Sequence, residues 1–486
     1  MTTLISRRIV LMGALPAACG LAQPARKADG APVRSTARAP APIPSAQPVI
    51  DVRTFGASPA ASAAVNSAAF LAASRAIDRA DGGTLFVPPG VYRVGVQERR
   101  GLATHVPTDL IRIADCRRPV VVSGAGATLK AADGLRYGAF KPGGGARHDA
   151  ARPSVDPAYR TDAPLMVHIS GCSGPVHVAG LRLDGNRNAY LLGGQWGDTG
   201  RQVGGDGLIL ERNTGPVTVA DLRSDNHGRD GIMLVHYGLT ARSPRYPVTL
   251  TDVSCDGNGR QGLSWVGGTQ LTVTRGRFTR TGRGKFASAP GAGVDVEAEG
   301  SVCRNGRFVD CKFVDNSGVG FLADSGDSAD IVLERCEFVG TTTWAAWPRK
   351  PGIVFRDCMF VGSIVNVHGD ADPRRATQFY GCRFHADPAL SPTRAVFGPY
   401  LADLGAGARN VLMSACDFWA KAPDKALPWT YPDIRYDNCR FRQTGKSISY
   451  PRGTFSGTTR IDSAGTVELW GSVFNGPTTL NGRKLA

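Results

Sequence analysis

Asp310-Cys311-Lys312-Phe313, Arg335-Cys336-Glu337-Phe338, Asp357-Cys358-Met359-Phe360, Gly381-Cys382-Arg383-Phe384, Ala415-Cys416-Asp417-Phe418 and Asn438-Cys439-Arg440-Phe441 are six copies of one short unit. Successive cysteines stand 25, 22, 24, 34 and 23 residues apart. A unit recurring at this interval is a structural period, one copy for each turn of a solenoid. Residues i and i+2 of a strand share a face, so Cys and Phe are expected to point inward together from one strand. Stacked over successive coils, they would build internal ladders of small and aromatic side chains. On this reading the cysteines are buried packing.

A second period runs beside the first. Gly207-Leu208-Ile209-Leu210-Glu211, Gly231-Ile232-Met233-Leu234-Val235, Gly262-Leu263-Ser264-Trp265-Val266, Gly293-Val294-Asp295-Val296-Glu297 and Gly320-Phe321-Leu322-Ala323-Asp324 align on their glycine. The first and third residues after it are apolar throughout and read as the inward face of a strand; the second and fourth vary and read as the outward face. Turns rich in Asn, Asp and Gly, such as Asp225-Asn226-His227-Gly228-Arg229-Asp230 and Asp256-Gly257-Asn258-Gly259-Arg260-Gln261, precede these glycines and supply the positive φ of a coil corner. Short strands and corners without crossover helices describe an all-β fold, a single-stranded right-handed parallel β-helix. An open first coil would be an aggregation edge. The one strong helical stretch, Asn66 to Ala80, is placed to cover it as an N-terminal capping helix.

Asp51-Val52-Arg53-Thr54-Phe55-Gly56-Ala57, the helix, and then Gly82-Gly83-Thr84-Leu85-Phe86-Val87-Pro88-Pro89-Gly90-Val91-Tyr92 resemble the opening of the pectate-lyase-3 and polygalacturonase-related, glycoside hydrolase family 28-like, right-handed β-helix proteins. The usual Asp-Gly after the first strand is replaced by Ser58-Pro59-Ala60-Ala61. With the repeats, the resemblance covers nearly the whole chain after residue 48. It implies the fold and carbohydrate chemistry. It does not imply the reaction, because this fold hosts hydrolases, lyases, epimerases and adhesins.

Composition agrees with a large packed core: 486 residues, 42% hydrophobic and 20% charged, with 61 glycines. Lys+Arg 57 against Asp+Glu 41 gives a net charge of +16, which favours anionic partners. Ser6-Arg7-Arg8-Ile9-Val10-Leu11 and the short apolar run after it read as a twin-arginine export signal over 1–22, hence a periplasmic or secreted protein. Leu15-Pro16-Ala17-Ala18-Cys19 faintly resembles a lipoprotein box with its branched residue one place early, which leaves a lipid anchor at Cys19 as the alternative. Residues 23–48 read as a Pro/Ala-rich linker and 49–486 as the β-helix domain. No segment of the mature chain reads as membrane-spanning, and no basic stripe with interleaved aromatics suggests nucleic acid.

The outward strand positions carry the candidate chemistry. Asp295 and Glu297 are two apart on one face, roughly 7 Å, and the alignment places Asp324 beside Glu297 on the next coil, roughly 5 Å away. Paired carboxylates at such separations serve glycoside hydrolysis as acid and base, of either stereochemistry. Crowded like charges also raise a pKa, as a general acid requires. Asp206 and Asp230 precede their glycines and stack in the same alignment, so Asp230 joins the catalytic candidates and Asp206 the substrate-binding ones. Outward apolar neighbours such as Met233, Val266 and Leu322, and loops at 186–204, 236–247 and 282–291, suggest a partly covered cleft. Trp196 and Tyr237 in these loops could stack on sugar rings.

A lyase or epimerase acting on a uronate polymer would instead need a cation and a base, for which Arg229, Arg260, Lys285, His236 and Tyr237 are the candidates. Asp184-Gly185-Asn186-Arg187-Asn188 begins like a calcium loop, but Ala189 and Gln195 stand where Gly and Glu are required. No metal site or cofactor is therefore expected. The Asn-x-Asp, paired Asp and Gly-His-Gly of the polygalacturonases are not found. The leading expectation is an exported polysaccharide hydrolase. A uronate lyase or epimerase, and a non-catalytic glycan-binding β-helix, are the alternatives.

Overall fold

The computed structural model describes residues 47–148, 158–195 and 202–485. The expected export signal, Cys19, the expected linker as far as residue 46, and Trp196 lie outside the described residues. The rest winds as a right-handed parallel β-helix whose strands form three ladders. The first sheet runs from Ile111–Ala114 through Val167–Ser170, Leu208–Glu211, Asp230–Val235 and Gln261–Trp265. It continues through the opening halves of Ala292–Val309 and Phe321–Glu334 to Ala346–Pro348. Those two long strands bend without a break into the second sheet, which begins with Val49–Asp51, Gly83–Phe86 and Val120–Ser123. The third sheet runs from Gly90–Val94 to Thr478–Leu480, where Arg483–Lys484 folds back antiparallel.

The alternation expected of the glycine-aligned strands is observed. Leu208, Ile232, Leu263, Val294 and Phe321 are wholly buried, and they occupy one rung position on consecutive coils. The glycines stand where the backbones close in: a Cβ on Gly262 or Gly293 would lie 2.5 or 2.6 Å from the next coil's glycine carbonyl. Corner conformation comes from other residues, among them Asn226 at φ 58° and Gly257 at φ 64°. Asn258 does not supply positive φ; it is a buried staple. Its Oδ1 accepts the His227 N–H at 2.8 Å and its Nδ2 donates to Ser224 O at 3.0 Å, tying one corner to the next.

The Cys-x-Phe period lies on the third sheet, with one correction. Phe occupies the strand, but Cys sits at the corner before it. The preceding residue is left-handed in every copy, from Arg335 at φ 50° to Gly381 at φ 62°. Such a corner turns carbonyls inward, and the thiols answer them. Cys358 Sγ donates to Leu333 O of the coil before at 3.4 Å, and Cys439 Sγ to Met413 O at 3.1 Å. All ten described cysteines are buried free thiols. Phe278, Phe313, Phe338, Phe360, Phe384 and Phe418 stack rung on rung with ring centroids 4.6–5.7 Å apart. Each such pair is worth about 0.5–1.5 kcal/mol beyond its area burial.

The capping helix spans Ala63–Arg79, three residues ahead of expectation at its start, because the Ser62 side chain accepts the Val65 N–H and fixes the N-terminus there. It covers the first coil with polar side chains as well as with Phe70 and Ile77. Ser74 Oγ accepts the Arg112 N–H at 3.2 Å and Asp78 Oδ1 the Ala114 N–H at 2.9 Å, so the exposed strand edge is satisfied. An unanticipated five-stranded lateral sheet uses the long connections, with Gln97–Arg100, Thr104–Pro107, Arg160–Thr161, Arg136–Ala139 and Leu191–Leu192. Among the described residues no helix is long and apolar enough to cross a membrane.

Cys358→Asp would place an unpaired carboxylate among stacked phenyl rings, at a cost on the order of 3 kcal/mol or more. Thermal unfolding followed by circular dichroism should show a large loss of melting temperature or insoluble protein. A soluble variant as stable as the parent would refute the internal ladder.

Candidate active site

One outward column of the first sheet organises the candidate site. Strand register sets Ile209, Met233, Ser264, Asp295, Leu322 and Trp347 on successive coils. Further along the sheet, Val365 pairs with Asp403, which bridges Trp429, which bridges Tyr450. A polar segment is thus followed on the same face by aromatic side chains.

The polar segment is dense. Asp295 is 3% exposed, and Gln261 Nε2 donates to its Oδ2 at 2.5 Å. Arg260 reaches two acids, with Nη1 3.4 Å from Asp230 Oδ2 and Nη2 3.4 Å from Glu297 Oε2. Arg229 forks onto Asp206 at 2.8 and 2.7 Å, and Asp206 also accepts the Asp230 N–H at 3.1 Å. Five expected residues are therefore joined by direct contacts, Asp206, Arg229, Asp230, Arg260 and Glu297, and Asp295 lies two residues before Glu297 on the same strand. Burial is the first reason that the Asp295 carboxyl is held well above its ordinary pKa; the charges of Glu297, Asp324 and Asp230 add to it, and Arg260 opposes them. Burial likewise pushes Asp230 up to about 6, against the pull of Arg260 and Arg229.

The alignment of Asp324 needs correction. Ser325, not Asp324, lies opposite Glu297, because the register slips by one residue between Asp295 and Glu297. The Phe321 strand carries an extra residue there, a bulge that re-aims its side chains. Asp324 remains near enough for its charge to act on Asp295, and burial raises its own pKa while Lys350 and Arg349 lower it. Asp324 is partly exposed and Glu297 is 27% exposed, whereas Asp295 and Asp230 lie beneath the surface.

The loop candidates divide. Tyr237 is 49% exposed beside the face, and His236 stacks on Tyr246 with centroids 5.0 Å apart. Lys285 does not join the carboxylates through any hydrogen bond or ion pair; its Nζ donates to Tyr190 O at 2.7 Å and Asn188 O at 3.4 Å. Its loop packs onto the lateral sheet, where Phe286 stacks on Tyr137 at 5.0 Å.

Sequence reading overlooked several residues. Gln261 stands before its glycine as Asp206 and Asp230 stand before theirs, so the alignment contained it. Trp347 escaped because no glycine marks its strand. Trp344 meets Trp347 edge-on at 5.3 Å and Phe397 at 5.6 Å, over an apolar patch of Ala292, Val319 and Leu322. Among the described residues, twelve buried side-chain nitrogen or oxygen atoms have no hydrogen-bond partner in the protein, and six belong here: Asp230 Oδ1, Arg260 Nε, Gln261 Oε1, Ser264 Oγ, Asp295 Oδ1 and Trp347 Nε1. Such atoms cost stability and concentrate where a structure is shaped for something other than stability. No group of three or more His, Cys, Asp or Glu among the described residues is placed to hold a metal ion.

No protein-family model matches the chain, and no curated protein matches it. Solved structures similar to it include the A-module of the mannuronan C-5 epimerase AlgE6 of Azotobacter vinelandii, at 15% identity over 88% of this chain and 98% of that one, with a TM-score of 0.42. The hyperthermoactive exopolygalacturonase of Thermotoga maritima is similar at 12% identity over 90% and 93%, with a TM-score of 0.35. The surface adhesin PfbA of Streptococcus pneumoniae is similar at 11% identity over 89% and 91%, with a TM-score of 0.38. These are likenesses in fold, and the β-helix itself rests on this chain's own strand pairing.

Proposed function

We propose that this chain is an exported enzyme that hydrolyses a polysaccharide, an acidic one, across the outer face of the first sheet. The observation that carries the reading is the carboxylate cluster: raised, buried acids beside an arginine-bridged glutamate, with half of the orphaned buried polar side-chain atoms among the described residues around them. Glu297 and Asp324 reach the surface and are assigned the chemistry. Glu297, paired with Arg260, acts as base toward the attacking water. Asp324, raised by burial, gives its proton to the glycosidic oxygen as the bond to the anomeric carbon breaks. Asp295 is the positioning carboxyl beneath them: neutral, it adds no third charge to the face. The aromatic run from Trp347 to Trp429 and Tyr450 offers ring faces for sugars bound beyond the cleavage point.

Elimination or epimerisation would need a cation left for the uronate carboxylate. Of the three cations put forward for that role, Arg229 and Arg260 are committed to Asp206, Asp230 and Glu297, and Lys285 to backbone carbonyls, while Arg349 and Lys350 act on Asp324. This favours hydrolysis.

Incubation with acidic and neutral polysaccharides, following new reducing ends and ultraviolet absorbance from unsaturated uronates in parallel, tests the class. Reducing ends without absorbance are expected, and the reducing ends are expected to vanish in Glu297→Gln and in Asp324→Asn. Absorbance rising with the reducing ends would replace hydrolysis by a lyase. Retention on a glycan with no product of either kind would leave a binding protein.

Asp324 works protonated, so kcat/KM should fall as the pH rises through its raised pKa. Lys350 favours the charged form of Asp324. Lys350→Met should therefore move the alkaline limb of the profile to higher pH, and an unmoved limb would remove Asp324 as the acid.

Asp295 has a second readout, stability. Its folded-state pKa lies above its unfolded one, so its contribution is fully present below about pH 4 and is lost as the pH rises through the folded value. Asp295→Asn should melt higher than the parent at pH 8, with the advantage shrinking toward pH 4. Equal melting temperatures at both pH values would contradict a buried, raised carboxyl.

A further inference from the structure

The outer face of the third sheet carries a feature that the carboxylate site does not use. Arg182 pairs in register with Arg223, Arg223 with Ser254, Ser254 with Arg277, and Arg277 with Lys312. All four cations are exposed and belong to one column. Adjacent rungs are roughly 4.8 Å apart, a spacing at which like charges opposite one another destabilise a sheet.

The neighbouring charges are neutralised differently. Asp252 holds Arg275, Asp256 holds Arg280, Asp315 holds Arg283, and Glu337 holds Lys312. Among the described residues the guanidinium groups of Arg182, Arg223 and Arg277 make no hydrogen bond or close ion pair, although the charges of Arg182 and Arg277 act on Asp225 and Asp256. They line a cleft of about 1220 Å³, walled on one side by residues 389–394 and including Arg394. Asp252, Asp256, Asp315 and Glu337 are engaged by other cations, while Asp221 and Asp225 also line the cleft; the exposed guanidinium forks of the row suit the two oxygens of a carboxylate or sulfate.

The row lies along the solenoid axis. Arg182 and Arg223 are on adjacent rungs, and Arg277 lies two rungs beyond, roughly 10 Å. A linear polymer with a charge on its repeating unit would meet them in turn. The cleft lining holds no aromatic side chain, and so no platform on which nucleobases could stack. It does hold Ser254, Thr279 and carboxylates that can bond to hydroxyls. We infer that the outer face of the third sheet is a second glycan site, one that holds a linear acidic polysaccharide by its charges, apart from the carboxylate face of the first sheet.

Affinity electrophoresis of the purified protein through gels containing polygalacturonate or alginate, over a range of salt, tests this without any need for turnover. The protein should be retarded by at least one of the two, less so as salt rises. Arg182→Ser/Arg223→Ser/Arg277→Ser should bind ~10-fold more weakly with a shallower salt dependence, and its melting temperature should not fall below the parent's. Arg75→Ser/Arg79→Ser/Arg483→Ser removes the same charge from exposed positions elsewhere and should keep the parent affinity. If the cleft variant does not fold, Arg223→Ser alone should still show a loss, of ~2-fold. Equal losses in the two triple variants would reduce the effect to net charge and overturn the site. No retardation by either glycan, or tighter binding of a single-stranded oligonucleotide, would overturn it as well.

Discussion

Register between successive coils is the constraint on which everything else in this molecule rests. Each rung hydrogen-bonds to the one before it in parallel, so any side chain is held roughly 4.8 Å from its counterpart on the next turn. Like must then tolerate like. Phenyl rings gain from the arrangement, thiols at the corners hydrogen-bond to carbonyls of the coil before, and glycine stands where two backbones come too near for a Cβ. Carboxylates gain nothing from it. Where Asp230, Asp295, Glu297 and Asp324 gather on one face, the same spacing that stabilises the interior raises pKa values and demands arginines between the acids.

This explains which parts of the protein were legible in its sequence. Cys-x-Phe and the aligned glycines are imposed by coil-to-coil contact and recur at every turn, so the β-helix could be read from period alone. The capping helix was legible because its apolar stripe has no counterpart elsewhere in the chain. Residues set by one local event were not legible. The slip that places Ser325 opposite Glu297 adds a single residue to one strand and leaves no compositional trace. The lateral sheet consists of strands as short as Arg160–Thr161, below the length at which alternation means anything. Trp347 belongs to the site column by register, but the glycine that marked its neighbours is absent from its strand.

The site shows how the two demands were reconciled. Arg229 and Arg260, attractive from the sequence as free cations for a substrate, serve the buried acids instead. Their removal would leave uncompensated charge in the wall of the solenoid, which is far costlier than the loss of a surface pair. Basic character available to a ligand therefore lies elsewhere, on sheet faces where acid partners are already engaged.

The fit of the capping helix over the first coil bears on how such a chain keeps its open edge from templating further strands. A parallel solenoid is a crystal growing in one dimension: each finished rung is a template for the next, whichever molecule supplies it. Ser74 and Asp78 occupy the N–H groups of Arg112 and Ala114 with side chains, which offer no further rung. At the opposite end, Arg483–Lys484 turns back antiparallel to Thr478–Leu480 and breaks the direction of growth. The molecule thus carries its own terminators of polymerisation.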